Sequence, residues 1–261
     1  MRKFCFTADV DRDVNERVHG KIDAISLNSG GEARFTSSEK GTRMIMEMLD
    51  ETGIKATFFA EATTLDNISV DIGNNEVAMH GLNHEDMTGE ISGIELSYDR
   101  LTEIMQTSVN IIKDKTGKIP KGFRAPYMRT NDKIMNILSE FGMRYDSSLY
   151  ERISATFNPY DIGNGLKEIP IPTGIDGNGK KITAYLWPMH EGIRTPDEYI
   201  RLADTMHEGV FTIATHSWHM AESRGGLMSP ERAEKNIGDT KKIITSLLDR
   251  GFKAVRMIDA I

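Results

Sequence analysis

The chain has 261 residues, of which 39% are hydrophobic and 27% charged, an ordinary globular composition that excludes a disordered or fibrous chain. Its net charge of -7 excludes the clustered basic surface that a phosphate backbone requires, so nucleic acid is not an expected partner. A single cysteine, Cys5, excludes a disulfide framework and a cysteine-rich metal site.

Short β-prone runs alternate with amphipathic stretches throughout, the pattern of a parallel sheet wrapped by helices, and one α/β barrel domain over residues 1–261 is expected. The first strand is expected at Phe4 to Asp9, and charged Asp9 and Asp11 follow the N-terminus before a signal-peptide apolar region could form. With no apolar run of membrane-spanning length, a cytoplasmic location without a membrane partner is expected. Arg12 to Ser38 has few apolar positions and a Gly30-Gly31 pair, and reads as a long rim excursion. A helix over Glu39 to Glu51 carries Met44, Met48 and Leu49 on one stripe, with Gly53 as its stop.

Strands are expected next at Ile54 to Ala60 and Glu76 to Met79. Ser92-Gly93-Ile94-Glu95 reads as a capping box opening a helix towards Lys115, with Gly117 past its end. Gly122 to Arg124 is a strand, and Asn131 caps a helix to Phe141. Strands at Arg144 to Asp146 and Leu166 to Ile171 follow, with irregular regions at Phe157 to Gly165 and Asp176 to Lys181 that could border a cleft. Val210 to Thr215 and Lys253 to Met257 complete the strands, separated by a helix from Ser229-Pro230 to Gly251.

Chemistry concentrates at the strand ends. Alternation places Phe4, Phe6, Ala8 and Val10 on one face of the first strand and Thr7, Asp9 and Asp11 on the other. Carboxylates there are costly to bury without a cation, a metal or water, although turn carboxylates are an equal alternative. His80 and His84 are spaced to share one side of a helical turn, within reach of one metal; alone, such a pair also occurs by chance. Added to the aspartates, it supplies a two-histidine, one-carboxylate set with positions open for water and substrate. Arg124, before Ala125-Pro126-Tyr127, is either a surface arginine or the partner that holds a carboxylate ionised. His216 ends the Val210 to Thr215 run. Five such residues at strand C-termini of a parallel barrel point to one site. His190 falls at a rim, His19 and His207 away from the site, and His219 and Trp218 fit either the cleft or the core.

These motifs resemble the polysaccharide deacetylases, the NodB-homology group also called carbohydrate esterase family 4, over nearly the whole chain. Thr7-Ala8-Asp9-Val10-Asp11 is similar to the family's first motif, which implies Asp9 as catalytic base and Asp11 as metal ligand. His80 to His84 resembles the second, implying two metal-binding histidines. Arg124-Ala125-Pro126-Tyr127 resembles the third, implying that Arg124 orients the base and that the Tyr127 backbone N–H stabilises an oxyanion. His216 resembles the family's general acid. Lys55-Ala56-Thr57-Phe58-Phe59 and Arg144-Tyr145-Asp146-Ser147-Ser148 add support.

The implied fold is a distorted, incomplete (β/α) barrel of about seven strands. The implied activity is hydrolysis of an N-acetylated sugar with one divalent metal, zinc first, with cobalt, nickel or manganese as alternatives. A homo-oligomer is compatible with this resemblance. Val10 separates the two aspartates, which are adjacent in the usual family motif. The separation resembles a branch that includes allantoinase-like amidohydrolases, some without metal, so a small amide or cyclic ureide is the alternative substrate.

Overall fold

In the structure, a computed structural model that describes residues 1–27 and 29–261, strand Arg2–Val10 runs through the middle of a ten-stranded sheet. Its alternation sorts the side chains as expected. Phe4, Phe6, Ala8 and Val10 join the large apolar core with helix residues such as Ile45, Met48 and Leu101. Cys5 belongs instead to a second cluster with Phe59, Ala78, Tyr145 and Met257. Thr7 and Asp9 continue that second face toward the strand's C-terminal end.

On one side Thr57–Ala60, Glu76–Met79, Gly122–Phe123, Tyr145–Asp146 and Leu166–Glu168 follow in turn, each parallel to its neighbour. On the other side Glu208–His216 pairs in parallel from Arg2↔Gly209 to Asp9↔His216. The sheet's outer strands, Tyr160–Gly163 and Thr156–Phe157, do not pair with each other among the described residues, so the curled sheet is an incomplete barrel. Part of the seam is bridged by residues 184–186. The Ala184 N–H donates to the Pro172 carbonyl at 2.8 Å, the Ala214 N–H to Ala184 at 2.9 Å, and the Leu186 N–H to Ala214 at 2.7 Å.

The helices follow their caps. Thr36–Thr52 stops at Gly53, whose φ of 67° is a left-handed conformation that favours glycine. The Asn131 side chain accepts the Ile134 N–H at the start of Asp132–Glu140. Ser229 does the same for Pro230–Asp249 through the Arg232 N–H.

Three expectations are corrected. Ser92 to Glu95 is no capping box: the Asp86 carboxylate takes the Ile91 and Ser92 N–H groups into a turn, and the helix is Tyr98–Thr116, capped by Ser97. The expected strand from Leu166 to Ile171 divides at Pro170, which has no N–H for a ladder. Leu166–Glu168 stays in the barrel and Ile171–Ile175 joins a separate three-stranded sheet. The final strand is only Lys253–Ala254, followed by a 3-10 turn at Met257–Ala260. The Arg12 to Ser38 excursion carries a hairpin of Asn15–Glu16 with Ile25–Ser26, and Asn28 within it lies outside the described residues.

Asp146 and Glu168 are register partners and both are buried. Ser148 Oγ donates to Asp146 at 2.6 Å and the Leu149 N–H to Glu168 at 3.1 Å, but one oxygen of each carboxyl has no other partner among the described residues. Burial and the neighbouring Asp146 charge hold Glu168 far above the ordinary carboxylate range, so the pair keeps a proton between its oxygens. The unfolded chain releases that proton above the ordinary glutamate value of about 4.3, so folding stability declines as pH rises past it. Glu168→Gln keeps a donor without the proton. Denaturant titrations from acid to mildly alkaline pH are expected to show the variant gaining on the wild type as pH rises; parallel curves would rule out the shared proton.

Candidate active site and metal centre

His80 follows strand Glu76–Met79, and its backbone N–H donates to the Ala60 carbonyl at 2.8 Å. Its Nδ1 lies 2.7 Å from the Arg124 carbonyl oxygen. A carbonyl only accepts, so Nδ1 carries the proton and the Nε2 lone pair is free. The helical turn expected between His80 and His84 is absent. The segment is a loop with Gly81 at φ 80° and His84 at φ 54°, held by the Glu85 carboxylate, which accepts the Leu82 and Asn83 N–H groups at 3.0 and 2.9 Å. The loop nevertheless brings the two rings to 5.0 Å between centroids.

Asp11 lies just past the end of the first strand. One oxygen accepts from Asn15 Nδ2 at 2.6 Å and stands 3.7 Å from His84 Nε2. Candidate donor atoms of Asp11, His80 and His84 all lie within 4.8 Å of one another, and all three residues are buried. The other Asp11 oxygen and His84 Nδ1 are buried without a hydrogen-bond partner among the described residues. Burial, then the Asp9 and Glu61 charges, pushes the Asp11 carboxyl well up. Burial, then His80, pushes His84 well down, which leaves a neutral imidazole. A costly carboxylate beside two neutral imidazoles is a donor set that fits one divalent cation.

Asp9 faces His216 across the strand register. Its Oδ1 accepts from Arg124 Nη1 at 2.7 Å, and both side chains are buried. The guanidinium also donates to Thr7 Oγ1, the Ser147 carbonyl and Ser147 Oγ, and it lies 4.0 Å over the Phe59 ring. Burial raises the Asp9 carboxyl, but Arg124, with smaller help from His80, His216 and Tyr185, outweighs it and holds Asp9 below its ordinary value. Asp9 is therefore an anion while Asp11, two residues away, resists ionising.

His216 borders the cleft and stacks on Trp218, 5.1 Å between centroids at 27°. Burial pushes its pKa down to about 3 against the pull of Asp9, so the imidazole is neutral at neutral pH. Gly41 permits the turn after it: a Cβ there would sit 1.8 Å from the Ser217 carbonyl oxygen.

The cleft of about 620 Å³ unites Asp9, His80, His84, Tyr127 and His216, while Asp11 and Arg124 support it from beneath. Tyr127 holds φ 58° and meets the His84 ring edge-on at 4.5 Å. The cleft wall adds Asn15 and Arg17 from the expected rim excursion, and Tyr150, Tyr185, Trp187 and Arg224 from segments that carry no local motif. Neither Phe157 to Gly165 nor Asp176 to Lys181 borders this cleft. His190 is not at the rim: it is buried, with its ring nitrogens near Thr215 and Thr240. His219 is buried against Glu191, and His19 and His207 are exposed.

The fold and this constellation define an α/β barrel with a candidate metal centre at the strand C-termini. A family model for polysaccharide deacetylase matches residues 24–145, which include His80, His84, Arg124 and Tyr127. The chain is 28% identical over 135 residues to a peptidoglycan deacetylase of Helicobacter pylori, covering 49% of this chain and 43% of that protein. It spans less than half the length of the curated relatives it matches. The structure of a candidate polysaccharide deacetylase from Mycobacterium smegmatis superposes with a TM-score of 0.64 at 21% identity, over 98% of this chain and 87% of that one. PuuE allantoinase does so with a TM-score of 0.64 at 16% identity, over 99% and 88%. Residues 24–145 thus match the polysaccharide deacetylase family model, and the chain shares the fold of these two solved structures.

Because Asn15 anchors the one satisfied oxygen of Asp11, Asn15→Ala is expected to weaken zinc binding by about 10- to 100-fold with little change in thermal stability. Competition against a fluorescent chelator measures this. Unchanged affinity would mean that Asn15 does not orient the ligand.

Proposed function

We propose that this chain is a metal-dependent N-deacetylase that removes the acetyl group from an N-acetylated amino sugar. The observation that carries the reading is a buried, Arg-paired Asp9 beside the Asp11, His80 and His84 donor set, with His216 on the same cleft. Asp11, His80 and His84 would hold the metal, zinc first by their nitrogen and oxygen donors. When bound, a divalent cation acidifies water and polarises the acetyl carbonyl.

The chain's own residues then divide the proton work. Asp9, kept anionic by Arg124, takes the proton of the attacking water. The Tyr127 backbone N–H faces the developing oxyanion. His216 serves the departing nitrogen. Since it is neutral at rest, its N–H orients that nitrogen, and the proton the nitrogen gains is the one Asp9 removes from water: hydrolysis of an amide to acid and amine consumes no net proton.

The Arg12 to Ser38 excursion contributes Asn15, Glu16 and Arg17 to the cleft wall. This enclosure favours a second reading, hydrolysis of a small non-sugar amide or cyclic ureide by the same groups.

Metal-stripped protein, assayed for acetate release from N-acetylated sugars with and without zinc or cobalt, tests the first reading. Metal-restored release is expected, with Asp9→Asn lowering kcat about a hundred- to ten-thousand-fold. No release from any sugar, with turnover of a small amide or ureide, would transfer the assignment to the second.

A further inference from the structure

Tyr185 carries no motif, yet its hydroxyl lies between the two groups assigned to proton work, 2.5 Å from Asp9 Oδ2 and 2.9 Å from His216 Nε2. One hydroxyl has one hydrogen to give. Asp9 Oδ1 is ion-paired with Arg124 Nη1 at 2.7 Å, and a carboxylate so paired only accepts, so the Tyr185 O–H donates to Asp9. The phenol oxygen then has lone pairs alone to offer His216, and Nε2 must be the nitrogen that bears hydrogen. Burial and the Asp9 charge raise the phenol far above its ordinary range, so it keeps its hydrogen at any working pH.

This contact has no substitute. His216 Nδ1 is buried without a partner among the described residues, and the stacked face of Trp218 and the tilted ring of His219 fix the plane of the ring but give it no hydrogen bond that selects the protonated nitrogen. In contrast to His80, whose Nδ1 is pinned by a backbone carbonyl, His216 depends on one side-chain hydroxyl for its tautomer. That hydroxyl is itself well placed. Tyr185 sits in the segment that bridges the barrel seam, paired with Ala214, two residues before His216 on the neighbouring strand.

We infer that Tyr185 is a positioning residue for the acetamide hydrolysis proposed above, on which this inference rests: its hydroxyl sets His216 in the Nε2–H tautomer, aimed along the line to Asp9 and into the cleft. A departing nitrogen that enters the cleft takes over from the phenol oxygen as acceptor of the Nε2–H hydrogen bond, which orients it to receive the proton that Asp9 takes from water. Tyr185 acts through His216 and needs no contact with the substrate.

Tyr185→Phe keeps the ring and removes only the hydroxyl. With zinc-loaded protein, kcat for an N-acetylated sugar is expected to fall about 10- to 100-fold with KM within about twofold. Turnover of 4-nitrophenyl acetate, whose leaving phenolate needs no proton, is expected to fall at least about tenfold less. Equal losses on both substrates, or no loss on either, would overturn the inference. Imidazole ¹⁵N NMR reads the same inference without substrate: His216 is expected in the Nε2–H form in the wild type and in a mixture of tautomers in Tyr185→Phe. A wild-type His216 protonated on Nδ1 alone, or an unchanged spectrum in the variant, would overturn it. Failure of the wild type to release acetate from any acetamide would instead sink the deacetylase reading, while the NMR result still decides the role of Tyr185.

Discussion

A fully buried ion pair, Arg124 with Asp9, is the constraint around which the upper barrel is arranged. Removing two charges from water is expensive, and the pair is tolerable only because its remaining donors and acceptors are satisfied. Arg124 spends its other N–H groups on Thr7, Ser147 and the Ser147 carbonyl, and Asp9 places its second oxygen on Tyr185. Strands Arg2–Val10 and Gly122–Phe123 are not neighbours in the sheet, so the pair ties opposite walls of the barrel interior across the Phe59 ring. Leaving either charge without the other would cost about 3–5 kcal/mol, a large part of a domain's net stability.

The same arginine organises the His80 and Tyr127 side of the cleft. Its carbonyl fixes the His80 tautomer. Its neighbour Ala125 donates to Ser148 Oγ, which in turn donates to Asp146 of the proton-sharing carboxyl pair. The Asp146 to Ser148 turn thus braces Arg124 through one serine and the Pro126-Tyr127 turn through the next. A loop that holds Tyr127 at left-handed φ gains its rigidity from this bracing.

Much of this was legible in the sequence for a physical reason. Period-two alternation ties Asp9 to the interior face as soon as Phe4, Phe6 and Ala8 are assigned to the helices, and parallel strands bring their C-terminal residues together whatever lies between them. His80, Arg124 and His216 follow from the same rule. The sequence did not reveal the conformation between His80 and His84, because a four-residue spacing brings two side chains together in a helix and equally in a loop that doubles back at Gly81. Ser92 to Glu95 has the letters of a capping box, but Asp86, six residues earlier, competes for the Ser92 N–H and wins. Tyr185, Asn15 and Arg224 were beyond reach because their roles arise from a seam segment and two hairpins that meet only in three dimensions.

Asp9 and Asp11 show what burial alone cannot do. Both are carboxylates, both are buried, and one residue separates them, yet their environments drive them in opposite directions. Asp9 has a permanent cation at 2.7 Å. Asp11 has only the Asn15 amide and neutral imidazoles, with Asp9 and Glu61 as like charges nearby. The nearest arginine, Arg12, is committed elsewhere: its Nε and backbone N–H both donate to Glu61, at 2.9 and 2.7 Å. Of the three neighbouring carboxylates, the chain pairs Asp9 with Arg124 and Glu61 with Arg12 and, among the described residues, leaves Asp11 without a cation where two imidazoles converge. A site that withholds protein cations from one carboxylate while pairing its neighbours suits a divalent metal as that carboxylate's counter-charge, and in the proposed reaction it leaves the Arg-paired Asp9 beside it as the base.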